Sequence, residues 1–139
     1  MADISTMSDL STVVVNHKRG NLFEVAVRQH ALHTDQPVEA GGDDVAPTPT
    51  ELFVASLASC VAFYARRFLE RHNLPYEGLS VLTEWQMGAR PSRVSELKMT
   101  IKVPAGVPEG TQQALLAVAS HCTVHNTLKN PPEVKIDLA

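Results

Sequence analysis

Residues 47–72 read PTPTELFVASLASCVAFYARRFLERH, and their reading decides the fold. Thr48-Pro49-Thr50-Glu51 fits a capping box, with Thr48 as N-cap, Pro49 at the first helical position and Glu51 at the third. Phe53, Leu57, Cys60, Val61, Tyr64 and Phe68 then recur at helical spacing, and Arg66 and Glu70 stand one turn apart. Asn73 and Pro75 stop the pattern, which predicts a helix from Pro49 to His72, about 36 Å long at 1.5 Å per residue. The fourteen residues Leu52–Ala65 carry no charge. That run is shorter than the roughly 20 residues a bilayer needs, so it predicts a helix buried in protein. A helix apolar around most of its girth needs cover on more than one side. A small sheet supplies one side; a second helix and a second subunit are the candidates for the rest.

The flanks are read by their periods. Thr12–Asn16 predicts a strand and His17-Lys18-Arg19-Gly20 a turn. Asn21–Gln29 alternates, with Phe23, Val25 and Val27 on one face and Glu24, Ala26 and Arg28 on the other. His30–Asp35 makes a third strand, and residues 36–47, with Gly41-Gly42-Asp43-Asp44, form a loop. Beyond the long helix, Leu79, Val81, Thr83, Trp85 and Met87 share one strand face. Leu97, Met99, Ile101 and Val103 share another, across a Gly88–Ser92 hairpin. Pro108 opens a second helix with Ala114, Leu115, Val118 and Ala119 as its apolar stripe. Thr123–Leu128 is a short helix or turn, and Val134–Leu138 a final strand. The order strand-strand-strand-helix-strand-strand-helix-strand, with hairpins and helices in separate blocks, is α+β.

The 139 residues make one domain by size, residues 1–139, with 1–10 expected to be flexible. A net charge of −3 without a basic tract speaks against nucleic acid as partner. Met1–Ser11 is polar, with no basic flank before an apolar run, so no signal peptide is expected and the cytoplasm is the default compartment. There the redox poise disfavours a structural disulfide.

Two cysteines then stand out, Cys60 inside the long helix and Cys122 in Ser120-His121-Cys122-Thr123-Val124-His125. Three readings are open: a redox pair, a bridge, or two buried thiols acting as small hydrophobes. Ser56, Ser59 and nearby arginines lend Cys60 the polar and cationic company that a thiolate needs. His121, Cys122 and His125 are close enough to suggest zinc, but a full ligand pattern is lacking, so no metal is expected. Glu51 is explained by the capping box. It precedes Cys60 by about 13.5 Å along the helix and on the opposite face, so it reaches a Cys60 thiol only from a partner chain. Arg19 and Arg28 are the upstream cations, each with a solvated surface charge as its simplest reading.

Residues 47–60, PTPTELFVASLASC, resemble the central helix of the OsmC/Ohr family, the osmotically inducible and organic-hydroperoxide-resistance proteins. Cys122-Thr123-Val124-His125-Asn126-Thr127-Leu128 is similar to the family's second motif, CPVHxTL, with Thr123 in place of proline. The Gly-Gly-Asp-Asp loop fits the OsmC-like branch. The resemblance runs from about residue 11 to 138. It implies an intertwined homodimer with interfacial sites, and a cysteine peroxidase acting on organic hydroperoxides and recycled by a dithiol reductant. It implies Cys60 as the attacking residue and Cys122 as the resolving one, with Glu51 and Arg19 as helpers. Glu51 falls one position nearer the cysteine than in the Ohr branch, and Arg19 is the arginine closest in separation, with Arg28 the other candidate. A pocket lined from Phe53, Leu57, Phe63 or Tyr64 would take an apolar peroxide. No cofactor, nucleic acid or membrane is implied. The alternative is a non-enzymatic dimeric protein that binds a ligand or senses oxidants on the same fold.

Overall fold

The computed structural model describes residues 11–139; the expectation of flexibility for residues 1–10 lies outside them. The chain divides into two compact units, the first running up to Leu52 and the second from Phe53 to Ala139.

The first unit is an antiparallel meander of β1 (Val14–Arg19), β2 (Leu22–Val27) and β3 (His30–Thr34). β1 continues through His17 and Lys18, where a turn was expected from the sequence. The reversal occurs at Gly20-Asn21, with Gly20 at φ 49° and Arg19 paired with Leu22. Arg19 therefore ends a strand. Arg28 is likewise not on a strand face: it occupies the β2–β3 turn at φ 51°, because a two-residue hairpin loop demands positive φ. A single 3-10 turn, Val38–Ala40, leads into the glycine loop.

That loop is organised by Asp35, which is 1% exposed. Its carboxylate accepts the N–H groups of Gln36 at 2.7 Å, Val45 at 3.2 Å and Asp43 at 3.3 Å. Its own N–H donates to the Pro47 carbonyl at 3.1 Å, one residue before the helix cap. The Gln36 N–H chiefly, with Val45, Asp43 and the charge of Arg19, outweighs burial and holds the Asp35 carboxyl below its ordinary value.

Helix α1 spans Pro49–Arg71. The capping box forms as expected: Glu51 N–H donates to Thr48 Oγ1 at 3.1 Å, and Thr48 N–H to Glu51 Oε1 at 2.9 Å. The helix stops because Asn73 takes a left-handed φ of 54° and Leu74 N–H turns back to the Leu69 carbonyl at 2.9 Å. By length and apolar character α1 could cross a membrane. Its central residues instead form the core of the second unit.

That core joins Leu57, Val61, Ala65, Phe68 and Leu69 of α1 to Val107, Leu115, Ala119 and Cys122. The hairpin of β4 (Ser80–Gly88) and β5 (Arg93–Lys102) adds Val81, Leu97, Met99 and Ile101 to its edge. Helix α2 (Glu109–Ala119) buries Leu115 and Ala119, whereas Val118, placed in the expected stripe, is 38% exposed. Helix α3 (Thr123–Lys129) confirms the short helix expected there. The expected last strand is not formed. Val134–Leu138 has no ladder partner among the described residues, and its alternating Val134 and Ile136 are 75% and 89% exposed. The period-2 pattern is real, but this segment joins neither outer edge of the two-stranded β4–β5 sheet. The architecture is α+β, with the long central helix as its main core element.

Candidate active site

Cys60 lies at mid-helix on α1, half-buried, with a free thiol. Its placement follows from spacing: Leu57, Val61 and Ala65 face the core, so Cys60 sits at the margin of that stripe rather than at its centre. Cys122 is fully buried and also free. It is the N-cap of α3, and its Sγ accepts the His125 N–H at 3.4 Å. Sulfur replaces the usual oxygen of such a cap, so the sequence places the helix start at Thr123 without identifying its cap.

The two thiols are neighbours. Burial pushes the Cys122 thiol above its ordinary value; the His125 N–H opposes this, and the neighbouring Cys60 thiol adds to it. Cys122 is thus kept in its protonated form beside Cys60. The sign of the linkage follows. A thiol whose folded pKa is raised stabilises the fold below its unfolded value, and that stability is lost as pH rises through the folded value. Cys122 should therefore alkylate with iodoacetamide more slowly than a free thiol, and its rate should still be rising with pH beyond 9.0, the ordinary thiol value at which a free thiol begins to level off. Site-resolved mass spectrometry of a pH series checks this, and prompt labelling at pH 8 would contradict it.

The other expected site residues lie in the first unit, in local contacts. Glu51 spends its Oε1 on the cap. Arg19 Nε stands 3.9 Å from Asp43 Oδ2, an exposed pair that contributes little stability. Arg28 occupies the hairpin turn. His121 donates through Nδ1 to the Ala117 carbonyl at 2.7 Å. Among the described residues, no group of three or more His, Cys, Asp or Glu side chains is placed to hold a metal ion.

An apolar cleft of about 250 Å³ lies between α1, β5, α2 and α3. Leu57 and Val61 of α1, Leu97 and Met99 of β5, Leu116 of α2, and His125 and Leu128 of α3 line it, while neither cysteine does. Of the four residues expected around a pocket, only Leu57 lines this cleft. Phe63 borders a separate one with Ser59, Arg66 and Tyr76, and Phe53 is partly exposed. Tyr64 packs at the core margin instead, and its hydroxyl meets Thr123. The wall contributed by β5, α2 and His125 was not read from the sequence, because periodicity tells which residues share a face but not which faces meet.

The family model for OsmC-like protein matches residues 41–137. The chain belongs to the OsmC-like protein family. That match spans the glycine loop, α1, both cysteines and the C-terminal segment. Solved OsmC-like structures share the fold. A protein of Psychrobacter arcticus 273-4, named for osmotic stress induction and a detoxification response, is 26% identical with a TM-score of 0.78, over 85% of this chain and 88% of that one. The OsmC like protein of Mycoplasma pneumoniae is 14% identical with a TM-score of 0.75, over 88% and 89%. The organic hydroperoxide resistance protein OsmC of Legionella pneumophila is 24% identical with a TM-score of 0.59, over 86% and 90%. No curated protein matches the chain. Both cysteines of this member fall inside the matched region.

Proposed function

We propose that the protein is a thiol-dependent peroxidase for organic hydroperoxides. The carrying observation is the unequal pair of adjacent free thiols: Cys60 half-exposed, Cys122 buried and held protonated beside it. In the first step the Cys60 thiolate attacks the O–O bond. It takes the distal oxygen as a sulfenic acid and releases the alcohol. Cys122 then attacks the Cys60 sulfur, forming the disulfide and expelling water. A dithiol returns both cysteines to thiols and leaves as its own disulfide. Burial of Cys122 suits the second role, because peroxide reaches the exposed sulfur first. The apolar cleft beside Leu57 and Val61 suits an alkyl or aryl tail. The names of neighbours such as the Legionella pneumophila protein agree with this substrate class.

The working unit in this proposal is a cytoplasmic homodimer. The exposed Val13, Val15, Phe23 and Leu32 of the first unit, Phe63 on α1 and the unpaired Val134–Leu138 segment are its candidate contacts. Within such a dimer Arg19 and Glu51 would act on a partner's Cys60. The test is turnover: reduced protein should consume cumene hydroperoxide catalytically with a dithiol, faster than hydrogen peroxide. A single slow stoichiometric modification would instead establish an oxidant sensor or ligand binder.

The two roles of Glu51 separate by substitution. Gln at the third helical position preserves a capping box, whereas Ala removes it. Glu51→Gln should retain the thermal midpoint and lose at least about tenfold in turnover, the scale of a lost charge interaction of roughly 1.4 kcal/mol. Glu51→Ala should lose turnover and also about 1 kcal/mol of stability or less. An undiminished rate in Glu51→Gln would leave Glu51 with the cap alone.

A further inference from the structure

Tyr64 and Thr123 share a hydrogen bond of 2.9 Å between their hydroxyl oxygens. Tyr64 follows Cys60 by four positions, so it stands one turn further along the same face of α1. Thr123 directly follows Cys122 and is the first residue of α3. The bond therefore ties the helix that carries one thiol to the helix start that carries the other. The Tyr64 ring also carries Arg67 over its face, with the guanidinium carbon 4.7 Å from the ring centroid.

Accepting the peroxidase reading, we propose that Tyr64 and Thr123 form a clamp that positions Cys122 for attack on the Cys60 sulfenic acid. The need for one is physical. Cys122 holds the first turn of α3 only through sulfur, a weak acceptor, with its Sγ 3.4 Å from the His125 N–H. When that sulfur forms a disulfide with Cys60, the cap weakens just as the turn must stay in place. A proline at position 123 would fix the turn covalently through its ring, since proline at the first helical position is preset for the helix and wastes no donor. Threonine cannot do so. Its hydroxyl supplies a tether from outside the helix instead, with Tyr64 as the anchor. The backbone at Cys122, φ −69° and ψ 158°, is the extended conformation that a following proline requires, so the two devices are interchangeable at this site.

The chemistry served is the second step alone. Cys60 sulfenic acid and the Cys122 thiol become a disulfide and water, with the Cys122 sulfur supplying the electron pair and the sulfenic oxygen leaving as water. Tyr64 and Thr123 touch none of these atoms and are positioning residues.

The test measures the lifetime of the Cys60 sulfenic acid. Reduced protein is mixed with one equivalent of cumene hydroperoxide, quenched with a sulfenic-acid probe at successive times and weighed by mass spectrometry. Tyr64→Phe and Thr123→Val, both near-isosteric, should each lengthen that lifetime about threefold to tenfold, the range one net hydrogen bond supplies. The rate of sulfenic acid appearance, read in a Cys122→Ser background, should stay unchanged in both. Thr123→Ser keeps the hydroxyl and should behave as the natural protein. The deciding variant is Tyr64→Phe combined with Thr123→Pro, which should return the lifetime to within about twofold of the natural one, because the ring replaces the lost tether. Unchanged lifetimes in the single variants, equal slowing of both steps, or failure of proline to rescue would each overturn the clamp. If the natural protein consumes no hydroperoxide, the peroxidase reading fails and the clamp is judged separately. An azodicarboxamide oxidant removes two hydrogens from the paired thiols, forming the disulfide and a hydrazine. Slower Cys60–Cys122 closure by this reagent in Tyr64→Phe, with proline rescue, supports the clamp, and equal closure refutes it.

Discussion

Cys60→Ser should abolish hydroperoxide consumption, while Cys122→Ser should consume one equivalent and stop with a sulfenic acid on Cys60. Serine's hydroxyl is not ionised near neutral pH and is a far poorer nucleophile toward an O–O bond than a thiolate. No residual route is expected in the first variant, because Cys122 is fully buried and held in its protonated form. In the second variant the oxidised sulfur forms but lacks a neighbouring thiol, so a sulfenic-acid probe should label it stoichiometrically. Continued multiple turnover in Cys60→Ser would show that the chemistry lies elsewhere. Sustained turnover in Cys122→Ser would show that an external thiol resolves the intermediate directly.

Gly42→Ala should be the most damaging small substitution in the chain. A Cβ there would lie 2.0 Å from the Gln36 carbonyl oxygen, 2.6 Å from its carbon and 2.8 Å from Asp35 Oδ1. These atoms cannot retreat, because Asp35 draws three loop N–H groups inward and the Gln36 carbonyl accepts from Asp44 at 3.0 Å. A loss of about 2–3 kcal/mol is expected from such overpacking. Gly110→Ala is the control: nothing lies within 4 Å of its Cβ, it is near the start of α2, and it should be neutral or slightly stabilising. Urea midpoints of the two variants decide the matter, and equal midpoints would contradict the structure of the loop. The same loop sets an acid limb. Asp35 is held below its ordinary value of 3.8, so the stability it contributes is complete above about pH 4 and is lost as pH falls through the lower folded value. Asp35→Asn should remove that part of the acid limb.

The central helix was legible because each of its signals is local. Thr48, Pro49 and Glu51 set its start, and the predicted end at His72 missed by one residue. What was not legible depends on which surfaces meet. Ala114, Leu115, Val118 and Ala119 all fit one helical stripe, yet only Leu115 and Ala119 turn inward. Over so short a helix the period leaves the stripe's centre free to rotate by a large angle. The β1 turn was misplaced because His17-Lys18-Arg19 looks like a polar loop, whereas Gly20 alone supplies the positive φ. Both cysteines were found as motif residues, but that they are neighbours required the packing of α1 against the start of α3. Asp35 passed unnoticed because an aspartate at the edge of a glycine loop has many surface counterparts; its burial is a tertiary fact. The Tyr64–Thr123 bond was hidden for the same reason, although the departure from proline at position 123 marked the spot.

The last nine residues carry a consequence of their own. Val134, Ile136 and Leu138 alternate with Lys135 and Asp137, and the chain's own fold leaves the apolar side in water. An apolar strand pattern that pairs with no described strand is stabilised by whatever covers that side. In the proposed dimer that cover is another copy, and mass action then enters the unfolding equilibrium. The melting temperature becomes a function of how much protein is in the cuvette, rising with every tenfold increase in concentration.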